Sequence, residues 1–212
     1  MSLFITFEGG EGCGKSTQAK ALWTRLSQQG VSAQLTHEPG GTPLGNELRR
    51  LLKGKRQDEI SPEAELFLFA ACRIQLVSEV IRPSLQQGKV VICDRFADST
   101  TVYQGYGRGI DLTTIKATND LATQGTKPDL TVLLDIPAAR GLSRKQAKTK
   151  DRFEAEEIAF HNRVRDGYLK LAAEEPERWL VIDATLPKAR IGRTIWDRVN
   201  QLLEAENSSR HG

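Results

Sequence analysis

The chain has 212 residues, 39% of them hydrophobic and 27% charged, with a net charge of +3. That length suits one globular domain with a buried core, and so mild a positive balance does not imply a nucleic-acid partner. The three cysteines, Cys13, Cys72 and Cys93, lie far apart with no CxxC pair, which argues against a disulfide framework or a zinc site and for reduced thiols in a cytoplasmic protein.

The N-terminus enters strand-like residues at once, so no signal peptide is expected, and no apolar run is long enough to cross a membrane. "LFITF" (3–7) reads as the first strand. The residues after it, Gly9, Gly10, Glu11, Gly12, Cys13, Gly14, Lys15 and Ser16, fit G-x-x-x-x-G-K-[ST], and a helix is predicted over 15–29. In that setting the glycines let backbone N–H groups turn inward around a phosphate, and the helix adds its positive end. Lys15 supplies a point charge to the outer phosphates and the Ser16 hydroxyl can reach Mg²⁺. Cys13 is either a small residue that fits the loop or a thiol activated by the helix N-terminus.

"SAQLT" (32–36) is the second predicted strand, followed by a short helix over 43–53. A long apolar helical stretch covers 62–87, with Pro83 expected to kink or break it and Gly88 to end it. Phe69 and Arg73 lie four residues apart in that stretch and so share a face. An arginine on so apolar a helix must find an anion or point into a cleft, and the aromatic offers a stacking surface for a base. The alternative is a core Phe69 with Arg73 paired to a structural carboxylate.

The unbroken apolar run "VVIC" (90–93) fits a central parallel strand. Asp94 then stands at a strand's carboxyl end, where an acid can hold Mg²⁺, and Arg95 can grip a phosphate through two hydrogen bonds. The segment 97–109, rich in hydroxyls and glycines, can approach a base and a sugar closely. A helix over 111–124, a strand "LTVLL" (130–134), a helix over 154–174, a strand "WLVI" (179–182) and a helix over 187–204 complete the chain before a polar tail at 206–212. Between them, residues 141–154 carry Arg144, Lys145, Lys148, Lys150 and Arg152. Such a run is either a solvated face or a basic flap that closes over phosphates. Strands alternating with helices predict an α/β fold, a three-layer parallel sheet covered on both faces, in a single domain over 1–205. The guanine-reading Asn-Lys-x-Asp segment of a GTPase is absent.

Taken together, "FEGGEGCGKST", "HEPGGT" (37–42), "FAACR" (69–73), "DRF" (94–96), "STTVYQGYGRG" (99–109), "PDLTVLLD" (128–135), the basic stretch before "DRFE" and "DAT" (183–185) resemble the thymidylate kinase family, in its order and over nearly the whole chain. The resemblance implies a P-loop fold with a five-stranded parallel sheet, a homodimer, and phosphorylation of dTMP by ATP with Mg²⁺. It implies ATP binding by Gly9 to Thr17, metal at Ser16 and Asp94, and catalytic roles for Lys15, Asp94 and Arg95. Arg49, Arg73 and Arg95 would bind the acceptor phosphate, Phe69 would stack on thymine, and Ser99, Thr100 and Gln104 would face the base. Tyr103 would lie by the sugar, Glu11 by its 3′-hydroxyl, and Glu38 would order the site. Gly12 stands where some members carry arginine, so the transferring phosphoryl would draw its positive charge from a lid at about 141–153, from Arg144, Arg152 or Lys148. The rival readings are a kinase for another monophosphate or a deoxynucleoside, and an ATP-dependent DNA-binding module that only the basic stretch supports.

Overall fold

The fold is a five-stranded sheet whose strands are all parallel, in the order β2-β3-β1-β4-β5. The computed structural model describes residues 2–54, 59–144 and 151–208. The strands are β1 (Phe4–Glu8), β2 (Ala33–His37), β3 (Val90–Asp94), β4 (Leu130–Asp135) and β5 (Trp179–Asp183). The almost wholly buried strands β1, β3 and β4 take the three central places, and β2 and β5, each partly exposed, take the edges. A central strand is covered on both faces, so its few polar side chains are buried and paired, as Thr6 of β1 is with Thr131 of β4.

Side chains alternate between two covering layers. Ile5 and Phe7 of β1 and Ile92 of β3 share one cluster with Leu22 and Leu26 of α1 (Lys15–Gln28) and Ile191 and Ile195 of α9 (Lys188–Ser208). Phe4, Val91 and Cys93 face the opposite way, onto Leu76, Val77 and Ile81. This second layer holds α2 (Pro43–Lys53), α3 (Pro62–Leu76), α4 (Arg82–Gln86) and α6 (Leu112–Thr123). Beside β4 it also holds α8 (Ile158–Glu174), which packs Val164 and Tyr168 into a third cluster with Leu133 and Trp179. Glu8 points into this second layer, because it is four residues from Phe4 on a period of two.

Several local details differ from the sequence expectations. The stretch 62–87 is interrupted by a π-helical turn, Val77–Ile81, where the Arg82 N–H donates to the Val77 carbonyl five residues back. The wider turn carries the chain into Pro83, near the start of α4. Residues 97–107 are helical: α5 (Ala97–Thr100) runs into a π-helical stretch, Thr101–Gly107. Its β-branched and glycine content gives a weak helical signal, and packing supplies the rest. A Cβ at Gly107 would come within 2.6 Å of the Phe160 ring, and one at Gly167 within 2.7 Å of the Tyr106 ring, so the bare backbones let this stretch sit against α8. A short helix, α7 (Ala138–Ser143), follows β4. The following helix begins at Ile158 instead of 154, because the Asp151 carboxylate accepts from the Phe153 and Glu154 N–H groups and holds a turn there. At the other end α9 runs to Ser208, past the predicted 204 and into the stretch read as tail, and Glu206 accepts a hydrogen bond from the Ser2 backbone at 3.1 Å.

Candidate active site

Topology creates the site. β1 lies between β3 and β4, while the chain leaves β1 towards β2 on one side and later returns to β4 on the other. The strand order therefore reverses at β1, and in open parallel sheets ligands bind at such a point beyond the carboxyl ends of the strands. The loop of residues 9–14 sits there, between Glu8 and Lys15. Gly14 precedes α1 with φ of 98°, a left-handed conformation that a side chain resists. Gly12 (φ +68°) is placed for a second reason: a Cβ there would lie 1.9 Å from the Gly141 carbonyl oxygen of α7. The position that could have carried arginine is thus filled by the start of the predicted lid.

The loop opens on a cavity of about 690 Å³. Glu11, Gly12, Gly14, Lys15, Ser16, Thr17, Arg49, Asp94, Arg95 and Arg144 all line it. Lys15 Nζ donates to the Gly9 and Gly10 carbonyls at 2.9 and 2.8 Å. The Ser16 hydroxyl bonds the Asp94 carboxylate, because β3 and β1 run in register with Asp94 beside Phe7. Cys13 packs in the main core cluster beside the loop and is a free thiol, as are Cys72 and Cys93. Burial pushes the Cys72 thiol up to about 11 and Cys93 well above the usual range. Arg49 Nη1 donates to the Pro39 carbonyl at 2.7 Å, and Arg144 Nη1 to the Ala184 carbonyl at 3.0 Å.

A smaller cavity of about 40 Å³ adjoins the first, and Glu11, Glu38, Lys53 and Arg95 line both. Phe69, Arg73, Ser99, Thr100, Tyr103, Gln104 and Phe153 line the small one only. The Phe69 and Phe153 rings lie 5.8 Å apart. The sequence reading singled out nine of these eleven positions but not Lys53 or Phe153, since one lysine at a helix end and one phenylalanine after a charged run carry no signal of their own.

Arg95 bridges the cavities. Its φ is +74°, uncommon for a residue with a Cβ, and such strain collects at sites that hold it in place. Nη2 donates to Glu11 at 2.8 Å and to the Tyr103 hydroxyl at 3.0 Å; Nη1 donates to the Gly9 carbonyl, Ser99 and Tyr168 at 3.1 to 3.2 Å. Behind it Glu8 accepts from the Phe96 N–H at 2.8 Å, the Ser99 hydroxyl at 2.6 Å and the Tyr168 hydroxyl at 2.7 Å. Burial, and then the Asp98 carboxylate, raise Glu8 from 4.5 to about 7, against the opposing pull of Arg95, Ser99 and Tyr168. Burial also holds the Tyr103 and Tyr168 phenols well above their usual range, so both are hydrogen-bond donors. Neither Glu8 nor Tyr168 stood out in the sequence reading. The lone acid closing an apolar strand was a signal that could have found Glu8; Tyr168 reaches it from 160 residues away and left none.

Of four further expected site residues, three line the small cavity while bonded to buried partners, and one lies outside both cavities. Arg73 is fully buried; its Nε and Nη2 hold Glu38 at 2.6 to 3.2 Å, and it also donates to Asn119, the Phe96 carbonyl and the Thr100 hydroxyl. It lines the small cavity and not the one around the phosphate loop, so it stands where a structural carboxylate claims most of its donors. The Ser99 and Thr100 hydroxyls are likewise engaged, by Glu8 and Arg73. Arg152 lines neither cavity: its Nη2 pairs with the buried Glu65 at 2.5 Å and its Nε donates to the Leu52 carbonyl. The reason is charge pairing, since Glu65 is fully buried and collects cations from two directions, Arg152 and Arg108. Of the other basic candidates in the lid, Lys145, Lys148 and Lys150 lie outside the described residues.

The chain is similar to known proteins over nearly its whole length. The family model described as thymidylate kinase matches residues 7–195. The chain is 54% identical to a thymidylate kinase of Dehalococcoides mccartyi over 98% of this chain and all of that protein. It is 49% identical to that of Trichlorobacter lovleyi over 93% of this chain and 96% of the relative. The crystal structure of thymidylate kinase from Ehrlichia chaffeensis superposes with a TM-score of 0.77 at 38% identity, covering 93% of this chain and 98% of the other.

Proposed function

The chain belongs to the thymidylate kinase family, and from that premise we propose how its two cavities divide the reaction. The enzyme is a phosphotransferase that phosphorylates dTMP on the way to dTTP. The larger cavity takes ATP: Gly9 to Gly14 turn their N–H groups to the phosphates, and Lys15, Ser16 and Thr17 hold the outer ones. The smaller takes the acceptor, with Phe69 against thymine, Gln104 at its edge, and Tyr103 and Glu11 by the sugar. Arg95, among the described residues the one arginine lining both, grips the acceptor phosphate where the cavities meet, with Arg49 beside it. That shared lining is the observation that carries the reading.

The donor set also fits a magnesium ion. Ser16 and Asp94 offer hard oxygens within one hydrogen bond of each other, and Mg²⁺ is commonly held by one or two protein oxygens with phosphate and water completing the shell. Bound there it would offset the phosphates' negative charge. The attacking dTMP oxygen is already anionic and needs no general base, so the residues catalyse by holding two repelling anions together and by stabilising the transferring group. Among the described flap cations, Arg144, which lines the larger cavity, takes that role. Arg152 and Arg73 instead fix the walls.

We place residues 1–205 in one domain, with a lid at about 141–153. Among the described residues no helix is long and apolar enough to cross a membrane, and a cytoplasmic location suits the three free thiols. A homodimer suits the exposed Leu44 and Leu51 of α2, Phe67 of α3 and Leu121 of α6, since α3 packs against both neighbours. The direct test measures ADP release from ATP with dTMP, dUMP, UMP, dCMP and thymidine as acceptors. Preference for dTMP, lost in Lys15→Ala, supports the assignment. An enzyme indifferent to dTMP, or an undiminished Lys15→Ala, refutes it.

A further inference from the structure

Gln104 is almost fully buried, and its side-chain amide meets a charge that has no contact with either cavity. Nε2 donates to Glu65 Oε1 at 2.7 Å. Glu65 lies in the first turns of α3, is 0% exposed, and pairs with Arg108 at 3.3 Å and Arg152 at 2.5 Å. Arg108 is held in turn by Glu156 at 2.6 Å, and Arg152 by the Leu52 carbonyl at 3.2 Å. A carboxylate set between two guanidiniums only accepts hydrogen bonds. The NH₂ end of the Gln104 amide must therefore face Glu65, whichever way an amide with similar ends could otherwise turn. Oε1 is left pointing away from Glu65. No described residue donates to it, and Gln104 lines the small cavity.

We propose that Glu65 is a positioning residue for base selection: by holding the amide NH₂ it keeps the Gln104 Oε1 as a fixed acceptor, so that the cavity takes pyrimidines with a protonated N3, thymine and uracil, and rejects cytosine. The proposal rests on the placement of the base beside Gln104 argued above. Cytosine carries a lone pair at N3, which would meet the Oε1 lone pairs without a proton between them. A site built around one hydrogen bond discriminates strongly because the mismatched partner leaves buried polar groups unpaired. An amide that could turn would present NH₂ to cytosine and lose that discrimination. The carboxylate removes this freedom from outside the pocket, without touching substrate.

The test compares wild type with Glu65→Gln, Glu65→Asp and Gln104→Ala, measuring kcat and KM for dTMP, dUMP and dCMP, with melting temperature alongside. In Glu65→Gln the new amide can donate as well as accept, so Gln104 can turn. We expect the ratio of kcat/KM for dUMP over dCMP to fall at least about tenfold. The KM for dTMP should rise by about the same factor, with kcat changed by less than about twofold. The ratio does not depend on the fraction of enzyme that is folded, so a loss of stability does not obscure it. Glu65→Asp retains the charge between the two arginines but is one methylene shorter towards Gln104, and should lower the ratio too if the glutamine variant does not fold. Equal losses for all three substrates would reduce Glu65 to a structural pair and overturn the proposal, as would a wild-type ratio in both Glu65 variants. Gln104→Ala separates the two levels. If it lowers the ratio while the Glu65 variants do not, only the positioning role fails; if it leaves the ratio unchanged, the placement of the base beside Gln104 fails as well.

Discussion

Replacing Glu8 with glutamine should change how stability depends on pH, in a direction set by the buried pocket behind Arg95. The Glu8 carboxyl is raised from 4.5 to about 7, chiefly by burial. An acid whose folded pKa lies above its unfolded value holds more protons in the native state between the two. Stability is then greatest at low pH, declines as pH rises from 4.5 to 7, and stays lower above that. At about 1.4 kcal/mol per pH unit, the 2.5-unit interval (7 − 4.5) corresponds to roughly 3 kcal/mol at full deprotonation. Glutamine cannot ionise, and the Ser99 and Tyr168 hydroxyls that donate to Glu8 can rotate to accept from its NH₂. Urea denaturation of both proteins at pH 5 and pH 8 isolates the effect, because other titrating groups cancel in the difference. The variant should gain about 2 to 3 kcal/mol on the wild type between those values. A difference that stays constant with pH, or one that moves the other way, would show that the three donors and Arg95 outweigh burial and keep Glu8 ionised.

Other perturbations test the walls and the lid. Gly141→Ala would put a Cβ 2.3 Å from the Glu11 carbonyl oxygen; with backbone on both sides it should cost about 1 to 3 kcal/mol in melting experiments and raise the KM for ATP. Arg73→Ala leaves Glu38 buried without its cation and should destabilise by about 3 to 5 kcal/mol, a loss that calorimetry would reveal and that a phosphate-binding role alone would not produce. Tyr168→Phe removes one donor to Glu8 and one acceptor for Arg95, so the KM for dTMP should rise by about three- to tenfold; an unchanged KM would detach α8 from Arg95. Arg144→Ala should lower kcat about ten- to a hundredfold with little change in either KM, and a pure KM effect would assign Arg144 to ground-state binding.

The sequence by itself determined the layers and the loop. The unbroken apolar run at 90–93 fitted a central strand buried on both faces, and strands alternating with helical stretches predicted a parallel sheet. The phosphate loop was legible because its chemistry is local: glycine freedom, a lysine and a hydroxyl within eight residues. Phe69, Asp94, Arg95 and Gln104 were also singled out from short motifs, and all four line the cleft. Tertiary structure alone decided which charges are partners. Arg73 carries the same charge as Arg95, yet Glu38 claims it, 35 residues away in sequence. Arg152 belongs to the basic run but answers the buried Glu65 instead of a phosphate. Glu8 and Tyr168 meet across 160 residues. Periodicity and short motifs record what a residue shares with its neighbours along the chain. A buried charge is governed by whichever opposite charge the fold brings within about 3 Å, where low dielectric makes pairing compulsory, and that pairing has no footprint in local sequence.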